Sequence, residues 1–181
     1  MTERSAPPEP LEKIVSSAAS DLESDNEVLK DALAAGIVAP WLLEVLARNA
    51  DLELRLLVSR QPHLNDAALE VLLLSDEETV REAARARPLP KAVLDWLERA
   101  ERGDDLTAPE LERLLRHDHG RFLVARHSRS KDQLEALRSS EDWRVRQAVA
   151  LNVNTSPTTL GALAADSDKD VRIAIAAHSH T

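Results

Sequence analysis

The chain has 181 residues, no cysteine and a formal net charge of −9. The lack of cysteine excludes disulfides and thiolate catalysis, and the acidic balance argues against a general nucleic-acid binder, which needs a dense basic footprint. No stretch approaches the length of a membrane span, and no apolar export segment follows Met1. The composition therefore predicts a cytoplasmic protein with no membrane partner.

The N-terminal segment differs in composition from the rest of the chain. Three prolines within residues 1–10 predict a disordered tail. Leu11 and Ile14 share one helical face, which predicts a helix over 11–24 that caps the first repeat. Residues 11–181 are then expected to form a single helical-repeat domain with one continuous core.

Two short elements recur through the chain at a shared period. A pair of leucines three residues apart begins at Leu43, Leu69, Leu94, Leu111, Leu134 and Leu160, with intervals of 26, 25, 17, 23 and 26. The other element begins at Val28, Leu54, Val80, Gly120, Val145 and Val171, with intervals of 26, 26, 40, 25 and 26. Such periods are typical of stacked units that cannot bury their own apolar faces alone. We expect about five to six repeats of 25–26 residues.

The last full repeat shows how one unit is built. Asp142 is placed to cap a first element in which Val145 and Val149 share a face. This element is only about two turns long, so it can be α-helical or 3₁₀. Ser156 and Pro157 then begin the leucine-bearing helix, because proline lacks only an amide that the first turn leaves unpaired. The sequence predicts α-helices that alternate with short α or 3₁₀ helices.

Residues 142–179 closely resemble the variant leucine-rich repeat, a relative of HEAT-type repeats. The matching residues are Asp142, Val145, Arg146, Ala148, Val149, Ala150, Asn152, Pro157, Leu160, Leu163, Asp166, Val171 and Arg172. The resemblance covers roughly residues 25–181 and weakens toward the N-terminus. It implies an all-α fold, a right-handed α-solenoid, and no catalytic activity. Some family members bind an iron–sulfur centre through cysteines, which this chain lacks, so no cofactor is expected.

One repeat, at 98–117, is irregular. Leu94 and Leu111 lie only 17 residues apart, and Gly103 with its acidic neighbours supplies a turn where a first element is expected. Two leucine helices should then follow each other directly. We expect a change in superhelix curvature near residues 98–110, beside a binding surface. The alternative is a decayed repeat without a role.

An arginine follows an aspartate at the start of most first elements. The pairs are Asp51 and Arg55, Asp76 and Arg81, Asp118 and Arg121, Asp142 and Arg146, and Asp168 and Arg172. Because a planar guanidinium can hold two carboxylates, each arginine is expected to bridge carboxylates of its own turn and the next. We interpret these residues as a structural ladder that sets register, rather than as a ligand site.

The candidates for partner binding are charged residues outside the ladder positions, one ladder arginine and one tryptophan. The predicted partner-binding residues are Arg85, Arg121, Arg126, Arg129 and Trp143, and Arg60 and Arg87 occupy similar late positions in their first elements. The segment 111–131 concentrates basic side chains on an otherwise acidic chain. Trp143 stands in a polar turn, where an aromatic side chain can anchor an interface.

Two functions from different classes remain open at this point. The favoured one is a non-enzymatic protein–protein interaction or scaffold module that presents an elongated repeat surface. The alternative is a HEAT-like nucleic-acid-binding or base-repair protein that uses the basic segment 111–131 on phosphates. We expect a protein partner, because the net charge disfavours nucleic acid.

Catalytic and metal-binding patterns are scarce. The chain has four glycines, no glycine-rich phosphate loop and no nucleophile elbow. His117 and His119, like His178 and His180, could ligate a metal from an extended backbone, but helical spacing separates them. The sequence predicts neither an enzyme nor a metal site.

The final copy of the first element, around Val171 and Ile173, is not followed by a leucine-bearing helix. An unpartnered layer leaves apolar surface exposed, which predicts self-association through this repeat, a partner there or a larger parent chain.

Overall fold

The computed structural model describes residues 22–49 and 51–178, with side chains from Asn26 onward. Across these two stretches the chain forms twelve α-helices and no strand. They are α1 Leu22–Ala34, α2 Pro40–Leu46, α3 Leu52–Ser59, α4 Asp66–Leu73, α5 Glu78–Arg85, α6 Lys91–Arg102, α7 Ala108–Leu115, α8 Asp118–His127, α9 Lys131–Leu137, α10 Trp143–Leu151, α11 Pro157–Leu163 and α12 Lys169–His178. The predicted tail over 1–10 and all of the capping helix except 22–24 lie outside the described residues.

The helices alternate between two rows, as expected for a solenoid. The first row consists of α1, α3, α5, α8, α10 and α12, which carry the valine–arginine elements, and we call these the first helices. The leucine-bearing second helices are α2, α4, α6, α7, α9 and α11. Helix α3 packs against α1 and α5, and α10 packs against α8 and α12. The all-α solenoid is confirmed, and its short first elements are α-helical rather than 3₁₀.

The start of each helix follows from local sequence. The Asp51 side chain accepts hydrogen bonds from two backbone amides of the first turn of α3, and Ser156 does the same for Thr159 N in α11. Thr107 and Glu110 form a capping box at α7. Because these caps satisfy amides that would otherwise lack partners, they define the helix starts through local contacts.

The core forms between the two rows. Leu54, Val80, Val145 and Val171 head the inward faces of their first helices and are fully buried, with 0% exposure. Leucines of the second helices meet them, for example Leu114 at 0%. Small buried residues in the first helices, namely Ala84, Ala148 and Ala174, allow close approach between neighbouring layers.

The irregular repeat interrupts the first row. Helix α6 has 12 residues, so Glu98 to Arg102 continue it where a separate first helix is expected. It ends at Gly103, whose backbone is left-handed (φ 72°), and α7 follows without an intervening helix. A Cβ on Gly103 would lie 2.8 Å from His127 Cβ, so the end of α6 packs directly on α8. Helix α8 therefore packs on α6 and α7, whereas α5 packs on α3 and α4.

Helix α12 has one buried and one open face. Val171 and Ala174 are buried against α10, while Ile173 is 62% exposed. Ile175 is partly buried against the core. Self-association through this repeat stays a prediction.

Candidate functional site at the interrupted repeat

A groove of about 430 Å³ opens where the first row is interrupted. We call it the α5–α8 groove. Its charged lining residues are Glu78, Arg81, Glu82 and Arg85 of α5, Glu101 of α6 and Arg126 of α8, and His119, Phe122 and Leu123 of α8 also line it. Charges of both signs thus surround a partly aromatic floor.

The three arginines of the groove differ in how the protein uses them. Arg85 forms an ion pair with Glu101, which ties α5 to the last turn of α6. Arg81 donates through Nη1 to the carbonyls of Ser75 (2.7 Å) and Asp76 (2.9 Å). The Arg126 side chain is exposed and makes no hydrogen bond or ion pair with any residue that the structure describes. The guanidinium groups of Arg81 and Arg126 can therefore still donate hydrogen bonds to a ligand in this groove.

His119 forms part of the groove floor and is neutral at pH 7. Its ring stacks on Phe122 with centroids 5.9 Å apart and an interplanar angle of 19°. Burial, reinforced by the nearby charges of Arg81 and Arg85, lowers the pKa of His119 to about 4. A neutral aromatic pair can pack against an apolar group of a ligand.

The two histidines of the first HxH pair face different neighbours. His117 Nε2 lies 3.4 Å from Glu70 Oε1 of α4, whereas His119 faces the groove. Hydrogen bonds from His117 and Arg113 lower the pKa of Glu70 to about 2, against the opposing effect of burial. Over the described stretches, no group of three histidine or carboxylate side chains could hold a metal ion. His180 lies outside the described residues.

The structure brings together two of the five predicted partner-binding residues. Arg85 and Arg126 line the α5–α8 groove, and the other three lie elsewhere. Arg121 pairs with Asp118 and donates to Leu115 O at 2.9 Å. Trp143 is half-buried at the start of α10, with the Arg144 guanidinium 5.6 Å from its ring centroid.

Arg129 borders a second cavity, which shares Leu123 and His127 of α8 with the α5–α8 groove. This cavity, of about 380 Å³, lies between the α6–α7 turn and the α8–α9 turn. Its wall combines Arg129, Asp104 and Asp105 with apolar side chains such as Leu106 and Leu111. Arg129 is exposed there. The predicted partner-binding set thus divides among different parts of the surface.

The arginines at the ladder positions bind differently from the prediction. Carboxylates of the next turn do bind Arg55, through Asp76 Oδ1 at 2.6 Å, and Arg146, through Asp166 Oδ2 and Oδ1 at 2.8 and 2.9 Å. The acceptor of Arg146 is Asp166, and Asp168 instead accepts from a backbone amide of its own helix. An aspartate just before a helix lies closest to unpaired amides, so it caps them.

Within their own turn, the ladder arginines bind backbone carbonyls. Arg81, Arg146 and Arg172 each donate Nη1 to the carbonyls six and five residues upstream, at 2.7 to 3.0 Å. These carbonyls lie in the turn that precedes each first helix. The arginine therefore fastens the turn to its helix, and the predicted own-turn carboxylate bridge is present only at Arg121 with Asp118.

A second set of cross-repeat hydrogen bonds was not anticipated from the sequence. At three repeats the residue seven places after the first-element start, which we call the clasp position, donates to a carbonyl at or just after the end of the preceding first helix. Gln61 binds Leu33 O at 2.9 Å, and Arg87 binds Gln61 O at 2.9 Å. Asn152 binds Ala125 O at 2.9 Å and Ser128 O at 3.0 Å. The recurrence of donors at one repeat position is the signal that could have identified them.

The structure places Arg87 at the clasp position, which corrects its interpretation as a binding candidate. Its guanidinium reaches the carbonyls of Ser59, Gln61 and Pro62 in the preceding repeat, at 3.4, 2.9 and 3.2 Å. Helix C-termini leave carbonyls without intrahelical partners, and Arg87 satisfies them. Arg60, one position earlier in its own repeat, is exposed and free of such bonds.

Replacing Asn152 with alanine should destabilise the array measurably. Asn152 is 5% exposed, and its amide serves the carbonyls of Ala125, Arg126 and Ser128. Buried acceptors that lose their donor cost about 1–3 kcal/mol, so we expect a loss of about 2 kcal/mol in the free energy of unfolding. Urea denaturation measures it. Thr158→Ala, at an exposed position, should change it by less than about 0.5 kcal/mol, and equal effects would contradict the clasp role.

Comparisons with known proteins give a family match over one repeat. Residues 143–168, which span α10 and α11, match the family model described as leucine rich repeat variant. A solved structure described as a leucine-rich repeat variant with a novel repetitive protein structural motif is similar, with 23% sequence identity over 86% of this chain and 82% of that chain, and a TM-score of 0.32. No curated protein matches the sequence. The family resemblance drawn from the motif residues is confirmed.

Proposed function

We propose that this helical repeat chain, of which residues 143–168 match the leucine rich repeat variant family model, is a non-enzymatic interaction module that presents its repeat surface to a protein partner. The α5–α8 groove carries this proposal. Most arginines along the array hold turns and neighbouring repeats together, but Arg126 and one edge of Arg81 serve no such purpose. Side chains that the array does not use are free to bind a partner.

The charge arrangement favours a protein over nucleic acid as the partner. Three arginines of the basic segment 111–131 already pair with carboxylates of the chain: Arg113 with Glu70, Arg116 with Glu112, and Arg121 with Asp118. Glu78 and Glu82 also line the groove, so a continuous phosphate backbone would meet negative charge there. The HEAT-like nucleic-acid alternative therefore has less support than a protein surface of mixed charge.

No observation on the described residues points to a reaction. None of their helices is long and apolar enough to cross a membrane, and no metal cluster is present among them. The proposal of a binding module rests on what the groove offers: guanidinium groups for polar recognition and an aromatic floor for contact area.

Affinity capture with the full chain tests the proposed function. The immobilised chain should retain a defined protein from a lysate of its source, in an amount nearly equimolar with the immobilised chain. Treatment with DNase and RNase should leave that retention unchanged. Resin that carries the heat-denatured chain provides the control. Retention that disappears with nuclease, or a chain that retains no protein above the control, would contradict a protein-binding module.

A further inference from the structure

Two repeats show which partner a first-helix arginine takes from the next turn, whereas Arg121 pairs with Asp118 of its own turn. Arg55 binds Asp76, 21 residues downstream, and Arg146 binds Asp166, 20 residues downstream, with Nε and Nη2 forming a two-pronged contact. In both cases the carboxylate comes from the turn before the next first helix. The array therefore contains its own example of the ligand that this guanidinium prefers.

At the interrupted repeat, that carboxylate is missing. The residues 20 and 21 places after Arg81 are Glu101 and Arg102, in the last turn of α6, and Glu101 pairs with Arg85 instead. Arg81 Nη1 holds its own turn, as Arg146 and Arg172 do. Its Nε and Nη2, the atoms that bind the carboxylate in Arg146, make no hydrogen bond with any residue whose side chain the structure describes.

The opposite wall of the groove adds a second unpaired cation. Arg126 of α8 is exposed and has no carboxylate partner in the described chain. The stacked rings of His119 and Phe122 line the same groove. Arg81 and Arg126 fit a single carboxylate beside apolar side chains, whereas Glu78 and Glu82 of the groove would repel a run of acidic groups.

The position of the groove suggests the shape of this segment. The groove lies in the row of first helices, between α5 and α8, where the repeat pattern places a helix that this chain does not form. A helix that entered there would have α5 and α8 as neighbours, as α10 has α8 and α12. Grooves of this kind commonly receive one amphipathic helix from a partner.

We propose that the α5–α8 groove is the docking site for an amphipathic helix of the partner, with one carboxylate of that helix on Arg81 and Arg126 in place of the aspartate that the array lacks. This inference rests on the proposed function and specifies where and what the module binds. Apolar side chains of that helix contact Phe122 and His119.

Peptide binding to the full chain tests this inference. The probe is a fluorescein-labelled 16-residue peptide of leucine, alanine and glutamine, designed as an amphipathic helix with one glutamate beside its apolar face, and its counterpart has glutamine in place of that glutamate. Fluorescence anisotropy at low salt should show affinity at least about 10-fold higher for the glutamate peptide, because a partly desolvated charge pair contributes about 1.4 kcal/mol or more. Equal affinity for the two peptides would overturn the proposal.

Charge reversals locate the site with a matched control. Arg126→Glu should weaken binding of the glutamate peptide at least about 10-fold. Arg60→Glu makes the same charge change at the same repeat position, also exposed and unpaired, and should leave affinity within about twofold. Glu101→Gln frees Arg85 from its ion pair and should tighten binding, which a purely structural role would not produce. Equal losses in the two reversals, or tighter binding of duplex DNA than of the peptide, would overturn the inference.

The two proposals can fail separately. If the protein retained in affinity capture binds Arg126→Glu as strongly as the original chain, the module binds elsewhere and only the groove assignment fails. If no protein is retained at all, the proposed function fails.

Discussion

Gly120→Ala is expected to lower the free energy of unfolding by at least about 3 kcal/mol, the upper part of the usual range for overpacking. A Cβ at Gly120 would lie 2.0 Å from the Leu114 carbonyl oxygen and 2.7 Å from its carbonyl carbon. Both contacts are with backbone, so no side-chain rotation relieves them, and α7 and α8 must move apart. Urea denaturation followed by circular dichroism measures the loss.

Gly161→Ala is the matched control for this prediction. Gly161 lies within α11, and a Cβ there meets nothing within 4 Å. Alanine has the higher helix propensity, so this change should stabilise the chain by about 0.5–1 kcal/mol. Two alanine substitutions would then act in opposite directions. A Gly120→Ala variant as stable as the original chain would show that α7 and α8 are not in such close contact.

Arg146→Met is expected to cost about 3 kcal/mol. The Arg146 and Asp166 side chains are only 14% and 7% exposed, and the guanidinium also holds the carbonyls of Ser140 and Glu141. Removing one partner of a buried ion pair leaves the other charge uncompensated, which costs about 3–5 kcal/mol in comparable cases. Thermal and urea unfolding should both report the loss.

Arg116→Met provides the comparison for an exposed pair. Arg116 and Glu112 are 63% and 71% exposed, so breaking their contact should cost less than about 0.5 kcal/mol. If both arginine variants lose the same stability, the Arg146 pair does not link neighbouring repeats as the structure indicates.

The Arg146 pair also has a defined pH dependence. The hydrogen bond from Arg146 lowers the pKa of Asp166 below its ordinary value of 3.8. A carboxyl group whose pKa is lower in the folded state than in the unfolded state stabilises the fold fully at pH values above its unfolded-state pKa. This stabilisation is lost as the pH falls through the folded-state pKa. The stability difference between the original chain and Arg146→Met should therefore be constant near neutral pH and shrink below about pH 4.

Local patterns account for the parts of the fold that the sequence predicted correctly. The leucine pairs, the valine-led first elements and the caps at Asp51 and Ser156 act within one or two turns of helix. Each repeat therefore carries its own helix boundaries, and repetition along the chain predicts stacking. The sequence does not decide whether the first elements are α-helices or 3₁₀ helices, because packing against neighbouring helices determines which type so short a helix adopts.

Hydrogen-bond partners across repeats were harder to predict. Asp168 stands next to the motif and was expected in the ladder, yet Asp166 binds Arg146 while Asp168 caps α12. Arg87 looked available in the sequence, but it reaches carbonyls of the previous repeat. These choices depend on which atoms the superhelical stacking brings within 3 Å, about the length of a hydrogen bond.

The sequence by itself determined the helical class, the repeat length and the place where one first element is missing, because apolar periodicity and capping are local properties. The tertiary structure decided what that missing element leaves behind. Only the approach of α6 to α5 shows that Glu101 pairs with Arg85, while Arg81 and Arg126 lack a carboxylate partner in the described chain. The reason is that the partners of these arginines come from adjacent layers, whose spacing follows from packing rather than from sequence position.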